Sequence, residues 1–436
     1  MIRLPVGVRD FLPRAAARRR AIAEALLAEF ERWGYDRIIT PAFEYLDVLE
    51  RGLGADARAA ALRFVEPATG EVVALRPDIT PQVARLAATR FGDREGPIRL
   101  CYEGSVLRLK PGARGQEELI QAGVELIDAP SPEGDAEAIA LAASALAAAG
   151  IDDAVLSIGH VRPARAALEG LPEALAAALT DRIAKKDARG VAKLCAAERI
   201  APKRRKLLEA LPLLYGEPAE VLSRARSLPL ETPAKQAIEE LGRALELAEA
   251  LGCQSRLTID LGEVRGFEYY TGLRLAGYVD GPGDAVLRGG RYDDLLARFG
   301  RAARAIGFAV DVEAIAAGQK AKEAAREGGK AANVKEGLPG ARVRGVLVVD
   351  GDGQRGPRLA QGLRAAGLRA AVDLAPRRAA ADVLPYARSA RVRAVLVLEG
   401  RRARILPVDG PARVVDPQTL AAALAGDARK LAKELR

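Results

Sequence analysis

A chain of 436 residues is long enough for two or three domains with hydrophobic cores of their own. Its 49% hydrophobic and 29% charged residues are typical of a folded soluble protein. No apolar run approaches the roughly 18 residues that a membrane span needs, and residues 1–5 do not begin a signal peptide, so the expected location is the cytoplasm.

The composition gives little support to metal or cysteine chemistry. The three cysteines, Cys101, Cys195 and Cys253, are far apart, and His160 is the one histidine. No Cys-x-x-Cys pair is present, so this set cannot form a zinc site of the usual kind. We therefore predict three buried, reduced thiols and no metal or other cofactor.

The net charge of +9 is unevenly distributed. Residues 319–436 contain 24 Lys and Arg against 12 Asp and Glu, a balance of +12, which leaves −3 for residues 1–318. A basic C-terminal third can contact nucleic acid or phosphorylated ligands, or it can be a solvated surface. The second interpretation is favoured because aromatic residues do not alternate with the charges there.

Helix and strand signals alternate along the first domain. Apolar residues at helical spacing, with Gly34 as a stop, predict a helix over 14–33, and a strand over 35–40 ends at Pro41. Residues 63–65 and 72–75 are predicted to form a hairpin, because the turn sequence Pro67-Ala68-Thr69-Gly70 lies between these two segments. Further strands are expected at 98–108, 119–127, 257–261, 269–278 and 285–288.

Residues 159–250 are rich in Ala, Leu, Glu, Lys and Arg, which predicts several short helices inserted between strands of the first domain. Residues 319–342 lack an apolar stripe and are interpreted as a linker. Beyond the linker, strands and helices alternate, which predicts a small, largely parallel α/β domain over 343–436. Its expected elements are strands 343–349, 369–374 and 392–398 and helices 357–366 and 379–389.

Four polar segments are candidates for a binding site, and each has a simpler structural explanation. In residues 75–82, a strand runs into a proline-containing turn that holds the carboxylate of Asp78 near the hydroxyl of Thr80. Such a pair suits an ammonium group, because charge-assisted hydrogen bonds are strong. Taken alone, the segment is better explained as the cap of a helix that starts near Pro81.

The second segment is the predicted strand around 121–125. Gln121, Gly123 and Glu125 point to one face of it, and the glycine leaves room for a ligand between two polar side chains. A solvent-facing strand edge explains the pattern about equally well.

The third segment, 265–272, places Arg265 near the adjacent Tyr269 and Tyr270. Arginine offers a fork for a carboxylate, and tyrosine offers a ring wall with a polar tip. Flanking glycines weaken the alternative of two strand tyrosines that pack on opposite faces of a sheet. The fourth segment, 288–293, is interpreted as a tight glycine turn between a strand and a helix, with a phosphate loop as the alternative.

Together these segments supply the groups that a pocket for a free polar amino acid needs. Their combination resembles the histidyl-tRNA synthetases and their paralogues, which are class II aminoacyl-tRNA synthetase-like proteins. Residues 14–41 resemble motif one, 102–125 motif two and 306–318 motif three. Similar family segments are 5–13, 75–80, 265–272 and 289–293.

The resemblance covers residues 1–318 apart from the helical insertion. It implies an α+β fold with a class II aminoacyl-tRNA synthetase-like antiparallel sheet and helices. Residues 343–436 weakly resemble the anticodon-binding domain of the family. Carried onto matching positions, the family's histidine contacts imply a binding set of Asp78, Thr80, Gln121, Glu125, Arg265, Tyr269 and Tyr270.

Motifs two and three depart from the synthetase pattern. Motif two normally reads Arg-x-Glu-Arg, but here only Arg108 remains, as a vestige of the nucleotide site. In motif three, Ala314 stands where the family has an arginine beneath ATP, and Asp311 stands at a glycine position. Because adenylation needs cations around the triphosphate, and loss of one group can cost a factor of about a hundred, we expect no useful adenylation.

A histidine pocket without adenylation chemistry resembles the regulatory subunits of ATP phosphoribosyltransferase. That resemblance implies a non-catalytic subunit that binds histidine for feedback control of the first step of histidine biosynthesis. It also implies a hetero-oligomer with a short-form catalytic subunit and self-association through motif one. The alternatives are a divergent histidyl-tRNA synthetase and a tRNA-binding paralogue, although neither tRNA nor a membrane is the expected partner.

Overall fold

A computed structural model describes residues 4, 8–54, 58–92, 94, 96–108, 118–264, 269–326, 345–351, 353–374, 380–389, 392–408 and 410–435. The described residues form a nine-stranded sheet, a three-stranded sheet and a five-stranded sheet. No helix among them is long and apolar enough to cross a membrane.

The strands fall into these three sheets as follows. In chain order they are β1 (Asp36–Arg37), β2 (Phe43–Tyr45), β3 (Arg63–Val65), β4 (Val72–Leu75), β5 (Ile98–Leu107), β6 (Glu118–Ile127), β7 (Val155–His160), β8 (Tyr215–Gly216), β9 (Arg256–Asp260), β10 (Leu273–Tyr278), β11 (Leu287–Arg291), β12 (Ala305–Asp311), β13 (Val346–Asp350), β14 (Ala370–Val372), β15 (Ala394–Glu399), β16 (Arg402–Pro407) and β17 (Arg413–Val414). The sheet orders are β1-β5-β6-β12-β11-β10-β7-β9-β8, β2-β4-β3 and β14-β13-β15-β16-β17.

The helices pack on both faces of the large sheet and build the insertion and the C-terminal unit. They are α1 (Pro13–Arg32), α2 (Leu46–Gly52), α3 (Thr80–Arg90), α4 (Glu133–Ala148), α5 (Val161–Leu168), α6 (Glu173–Ala184), α7 (Ala188–Ala197), α8 (Pro202–Ala210), α9 (Pro218–Arg226), α10 (Thr232–Ala250), α11 (Val312–Arg326), α12 (Gly356–Ala365), α13 (Ala380–Ser389), α14 (Pro417–Leu424) and α15 (Arg429–Glu434).

Alternation along β6 separates the core from the opposite face of the sheet. Ala122, Val124 and Leu126 are buried and belong to the same hydrophobic cluster as α1 and α4. The ring of Phe30 in α1 lies 5.8 Å from the ring of Phe308 in β12, edge to face. The alternate residues of β6, which include Glu125, therefore point to the other face of the sheet, where the candidate site lies.

Most elements of the first domain agree with the sequence-based predictions. The helix over 14–33, the hairpin of 63–65 and 72–75, and the strands at 98–108, 119–127 and 257–261 are all confirmed to within one residue at each end. The insertion is also helical, with α5 to α10 lying between β7 and β9, which pair in parallel.

Two strand predictions and one turn prediction were wrong in detail. The strand expected at 35–40 pairs only over Asp36–Arg37, because Pro41 and the following turn lead the chain away to β2. The strand expected at 269–278 begins at Leu273, so the two tyrosines precede it. The turn expected at 288–293 is instead strand β11 (Leu287–Arg291).

The glycines of β11 serve close packing rather than a turn. A Cβ atom at Gly289 would lie 2.2 Å from the carbonyl oxygen of Gly307, and one at Gly290 would lie 2.7 Å from the ring of Tyr270. Only glycine permits these approaches inside a sheet. The sequence signal for a turn and for a close approach is the same, which is why the prediction failed.

The linker and the C-terminal sheet also differ from expectation. Helix α11 (Val312–Arg326) continues through the first eight residues of the expected linker, and 327–344 lie outside the described residues. The small sheet is parallel where β13 pairs with β14 and β15, as predicted, but β16 and β17 add antiparallel pairs that were missed.

A buried ion pair joins β5, α4 and the C-terminal unit. Arg99 donates to Glu137 through Nε and Nη2, both at 2.8 Å, and to the carbonyl of Val372 at 3.0 Å and the hydroxyl of Tyr386 at 3.2 Å. Arg99 and Glu137 are almost fully buried. Nearby, the guanidinium of Arg364 lies 3.6 Å from the ring centre of Trp33.

We predict that Glu137→Gln will destabilise the fold strongly, because it leaves the buried Arg99 cation without its counter-charge. Loss of one partner of a buried pair costs about 3–5 kcal/mol. Urea unfolding measures the change, with Glu133→Gln on the exposed start of the same helix as the matched control. A loss no larger than that of the control would contradict this role of the pair.

Candidate functional site

The candidate site lies on the face of the large sheet that Glu125 shares with small residues. In antiparallel strands, directly paired residues point to the same side. Glu125 pairs with Gly307, Gly123 with Tyr102 and Ala309, and Gln121 with Gly104 and Asp311. The face that these pairs define in the three strands comprises Tyr102, Gly104, Gln121, Gly123, Glu125, Gly307, Ala309 and Asp311.

Glu125 is a buried carboxylate held by two phenols. The hydroxyl of Tyr102 donates to its Oε1 at 3.1 Å, and the hydroxyl of Tyr292 donates to its Oε2. Its side chain crosses the neighbouring strand at Gly307, where a Cβ atom would overlap Oε2. The position of this acid therefore depends on glycine in β12.

Burial also governs the protonation of this acid. Removal from water raises the pKa of Glu125 well above its ordinary value, and the charge of Asp78 raises it further. Hydrogen bonds from Thr80 and Tyr102 act in the opposite direction but do not reverse the shift. Glu125 can thus hold a proton, and a ligand that is cationic or donates hydrogen bonds would displace that proton.

The turn that carries Asp78 is anchored by a buried arginine. Arg76 donates to the carbonyls of Ser105 at 2.8 Å and Thr40 at 2.9 Å, which ties the turn to β5. A Cβ atom at Gly104 would lie 2.1 Å from Nη2 of Arg76, so this glycine makes room for the guanidinium. The sequence showed the arginine, but not that it packs inside the fold.

Asp78 stabilises the turn that precedes α3 and also faces the site. Its Oδ1 accepts a hydrogen bond from the backbone N–H of Thr80, the first residue of α3, at 3.2 Å. This is a contact within the turn and not a helix cap, because the N-cap residue of α3 is Ile79 and no side chain caps the helix, so the capping prediction was wrong. The hydroxyl of Thr80 lies 3.5 Å from that of Tyr102, so the turn also reaches the Glu125 network.

Aromatic rings form one wall of the site. Tyr269 and Tyr270 meet edge to face with ring centres 5.1 Å apart, and Tyr269 lies 5.4 Å from Tyr292. The Tyr270 ring covers Gly290 and has the guanidinium of Arg274 5.1 Å from its centre. The neighbouring acids Asp78 and Glu125 add to burial in raising the pKa of Tyr269, so its hydroxyl stays a neutral donor.

A second buried arginine fixes this wall. Arg291 donates to Asp135 at 2.8 Å and to Asp293 at 3.1 Å, and it is 1% exposed. Its carbonyl oxygen accepts the N–H of Thr271 at 2.7 Å, directly after the two tyrosines. The hydroxyl of Thr271 in turn accepts the N–H of Asp293 at 2.9 Å. The aromatic segment is thus tied to the sheet on both sides.

Gln121 has unused hydrogen-bonding capacity. It is 5% exposed, and its Oε1 has no hydrogen-bond partner among the described residues. A buried polar atom without a partner is costly, so a ligand donor at this point would offset that cost.

The start of α11 carries no cation toward the site. Oδ1 of Asp311 accepts the N–H of Ala314 at 2.8 Å, as a helix cap, and the methyl group of Ala314 is fully buried in the core. Between them in sequence, Glu313 is buried and accepts the N–H of Ile120 at 2.9 Å. At the end of β5, Arg108 is half-buried and donates to the carbonyl of Pro77 at 2.9 Å.

The histidine and the thiols have structural surroundings. His160 is buried, and burial followed by nearby arginine charges lowers its pKa to about 3, so it is neutral at physiological pH. Cys101 and Cys195 are buried and Cys253 is half-buried; all three are free thiols. No group of three or more metal-ligating side chains occurs within the described ranges.

The structure brings most of the predicted set together. Asp78, Thr80, Glu125, Tyr269 and Tyr270 lie close enough to interact, and the strand register places Gln121 on the same face as Glu125. Arg265 lies in 265–268, outside the described residues. Sequence reasoning missed Tyr102, Tyr292 and Arg274, because only the strand register shows that they face Glu125 and the tyrosine wall.

The sequence of this chain is similar to a known protein family and to proteins of several bacteria. Residues 7–315 match the family model for histidyl-tRNA synthetase. The ATP phosphoribosyltransferase regulatory subunit of Geobacter sulfurreducens is 38% identical over 402 residues, which is 91% of this chain and 88% of the relative. The subunit of the same name from Anaeromyxobacter sp. (strain Fw109-5) is 45% identical over 314 residues, 71% of this chain and 91% of the relative.

The fold is also similar to the folds of solved structures of this family. An ATP phosphoribosyltransferase regulatory subunit/histidyl-tRNA synthetase from Bacillus halodurans C aligns with a TM-score of 0.66 at 28% identity, covering 92% of this chain and 99% of that one. Histidyl-tRNA synthetase from Nostoc sp. PCC 7120 aligns with a TM-score of 0.62 at 21% identity, covering 97% and 99%. The fold is therefore that of the class II aminoacyl-tRNA synthetases of the histidyl type. The chain belongs to the histidyl-tRNA synthetase family, within its branch of ATP phosphoribosyltransferase regulatory subunits.

We predict that Glu125→Gln will stabilise the unliganded protein at high pH. Because the folded-state pKa of Glu125 is raised, its favourable contribution is present at low pH and is lost as pH rises through that pKa. Gln removes the loss, so the free energy of unfolding should exceed that of the unmodified chain by about 1–3 kcal/mol at about pH 9 and differ little at about pH 5. Urea unfolding at both pH values measures this.

The matched control is Glu118→Gln, which makes the same change at the exposed start of β6. It should leave the pH dependence of unfolding as it is. Equal pH profiles for Glu125→Gln and the unmodified chain would show that burial does not perturb this acid.

Proposed function

We propose that this chain is a non-catalytic subunit that binds histidine and thereby regulates an ATP phosphoribosyltransferase. The observation that carries the proposal is the buried carboxylate of Glu125, held by two phenols on a floor of glycines and close to Asp78. The names of the relatives support the regulatory role.

The chemistry of the site suits histidine. Its ammonium and imidazole groups are donors or cations, and Asp78, Glu125 and the partnerless Oε1 of Gln121 are acceptors. The wall of Tyr269 and Tyr270 gives a flat ring a surface to pack on. In this proposal Arg265 binds the carboxylate of the ligand, as the family resemblance implies.

The same site lacks support for adenylation. Synthesis of an adenylate needs cations around the triphosphate. At the motif three position, Ala314 contributes a buried methyl group and Asp311 caps the helix. Arg108 is the remaining motif two cation, and we propose that it is a vestige of the nucleotide site. Transfer of the phosphoribosyl group then belongs to a separate, short-form catalytic subunit.

In this proposal the two proteins form a hetero-oligomer in the cytoplasm. Histidine occupancy in this subunit lowers the activity of the catalytic subunit, as feedback control of the first step of histidine biosynthesis. A coupling free energy of about 1–3 kcal/mol between the sites is typical of such control. Residues 1–318 would act as the histidine-binding domain and 343–436 as an anticodon-binding-like domain of changed use.

Besides the motif one residues 14–41, the adjoining three-stranded sheet β2-β4-β3 offers a surface for self-association. Phe43, Phe64, Val65 and Val72 are each at least 40% exposed on β2-β4-β3, and the rings of Phe43 and Phe64 are 5.8 Å apart. A cluster of exposed apolar side chains on one sheet is typical of an interface. A second copy of the chain, related by two-fold symmetry, would cover it.

We predict that histidine binds to the isolated chain and that Asp78→Asn weakens the affinity. Loss of one charge-assisted hydrogen bond costs about 1.5–3 kcal/mol, which corresponds to roughly ten- to a hundredfold in the dissociation constant. Isothermal titration with histidine measures it. Asp47→Asn, an exposed acid on α2, is the control and should bind normally.

Regulation of the catalytic subunit is tested by a separate measurement, the rate of phosphoribosyl transfer. Addition of this chain to the short-form catalytic subunit should produce phosphoribosyl transfer that histidine inhibits, and Asp78→Asn should need correspondingly more histidine. Transfer that is independent of this chain, or histidine inhibition that Asp78→Asn leaves unchanged, would contradict the proposal.

We predict that Phe64→Asp together with Val65→Asp halves the mass of the isolated chain in solution, because two buried charges would oppose the contact. Light scattering after size exclusion measures this. Val414→Asp changes an equally exposed apolar residue of another sheet and should leave the mass alone. An unchanged mass for the double variant would assign self-association to a different surface.

A further inference from the structure

The helical insertion carries a concentrated positive charge that the histidine site does not use. Residues 182–206 contain ten Lys and Arg against two Asp and Glu, inside a part of the chain whose overall balance is negative. Six of these cations lie on or beside α7 and α8 and define what we call the α7–α8 face. They are Arg189, Lys193, Arg199, Lys203, Arg204 and Lys206.

The six cations of the α7–α8 face are not used in ion pairs with other described residues. None of them forms an ion pair within the part of the chain that the structure describes, and all but the half-buried Arg204 are exposed. Other arginines of the insertion are paired, such as Arg226 with Glu239 at 3.1 Å and Arg243 with Glu246 at 3.0 Å. The unpaired cations are therefore concentrated on and beside α7 and α8.

Local stability does not explain this face. Arg189 and Lys193 are four residues apart on one helix, where like charges destabilise. Arg199 follows α7 with φ of 49°, in the left-handed region where glycine would be less strained. A cation is thus present at a position whose backbone favours another residue, which points to a use outside the fold.

Exposed apolar side chains adjoin the cations. Leu213 is 48% exposed at the end of the 3-10 turn (Leu211–Leu213) that follows α8, and Tyr215 is 55% exposed in β8, the last strand of the nine-stranded sheet. The ammonium of Lys186, just before α7, lies 5.7 Å from the centre of the Tyr215 ring. Basic and apolar groups therefore meet beside the start of α7, where Lys186 is also paired with Asp260.

We propose that the α7–α8 face, with Leu213 and Tyr215, is a docking surface for a folded protein with an acidic patch. The proposal rests on the proposed function, and the partner is the catalytic subunit. An apolar centre beside charged residues is the usual composition of a protein interface. A surface for single-stranded nucleic acid would need several rings for base stacking, and here there is one.

The direct test measures binding of the full chain to the short-form catalytic subunit at low and high salt. The affinity of the unmodified chain should fall with salt, because complementary charges contribute to it. Lys193→Glu, Lys203→Glu and Lys206→Glu together should weaken binding at low salt by at least about tenfold, since like charges would then face each other. The neutral Gln set at the same positions should weaken it less.

Tyr215→Ser tests the apolar part and should weaken binding without altering its salt dependence. A matched control makes the same charge change at Arg401, Arg402 and Arg413, three exposed arginines of the C-terminal unit, and should bind within about twofold of the unmodified chain. Histidine affinity should be equal in all variants, which shows that each one folds.

Three results would overturn the proposal. One is full affinity of the triple Glu variant, and another is loss of binding in the control alone. The third is a triple Glu variant that loses affinity for total tRNA while it still binds the catalytic subunit, since this would mark a nucleic-acid surface. If the unmodified chain forms no complex at all, it is the proposed function that fails, and the surface fails with it.

Discussion

The structure depends on a carboxylate, that of Glu125, held inside a sheet where water cannot solvate it. Burial of an isolated charge costs several kcal/mol unless partners compensate. Tyr102 and Tyr292 offset part of that cost, and Gly307 supplies the space, but burial still raises the pKa of the acid. Among the described residues, the fold places no full counter-charge beside this acid. The site is therefore suited to a cationic ligand, because the ligand itself supplies the positive charge.

Buried arginines hold the surroundings of this acid in place. Arg76 fixes the turn that carries Asp78, Arg291 fixes the segment after the tyrosine wall, and Arg99 joins the back of β5 to the C-terminal unit. Each guanidinium donates to several oxygens from a fixed planar fork of five N–H groups, a geometry that the ammonium of a lysine does not offer. In strand β5, Tyr102 points toward the site and Arg99 points toward the C-terminal unit. One strand therefore connects the site to the C-terminal unit.

The sequence predicted the elements better than their contacts. Periodicity located α1, β5 and β6, and motif resemblance located Asp78, Thr80 and Glu125, because these signals are local. Pairing across strands is not local, so Tyr102 and Tyr292 were missed although both hydrogen-bond to Glu125. The glycines of β11 were taken for a turn because close packing and turns leave the same trace in a sequence.

The central claim is that a histidine site persists where the chemistry of adenylation does not. Histidine-dependent exchange of pyrophosphate into ATP, measured with the chain saturated in histidine, tests it most directly. The account predicts exchange no faster than in a reaction without protein. Exchange that rises with histidine concentration and disappears in Glu125→Gln would show that the chain activates its ligand, and would identify it as a synthetase.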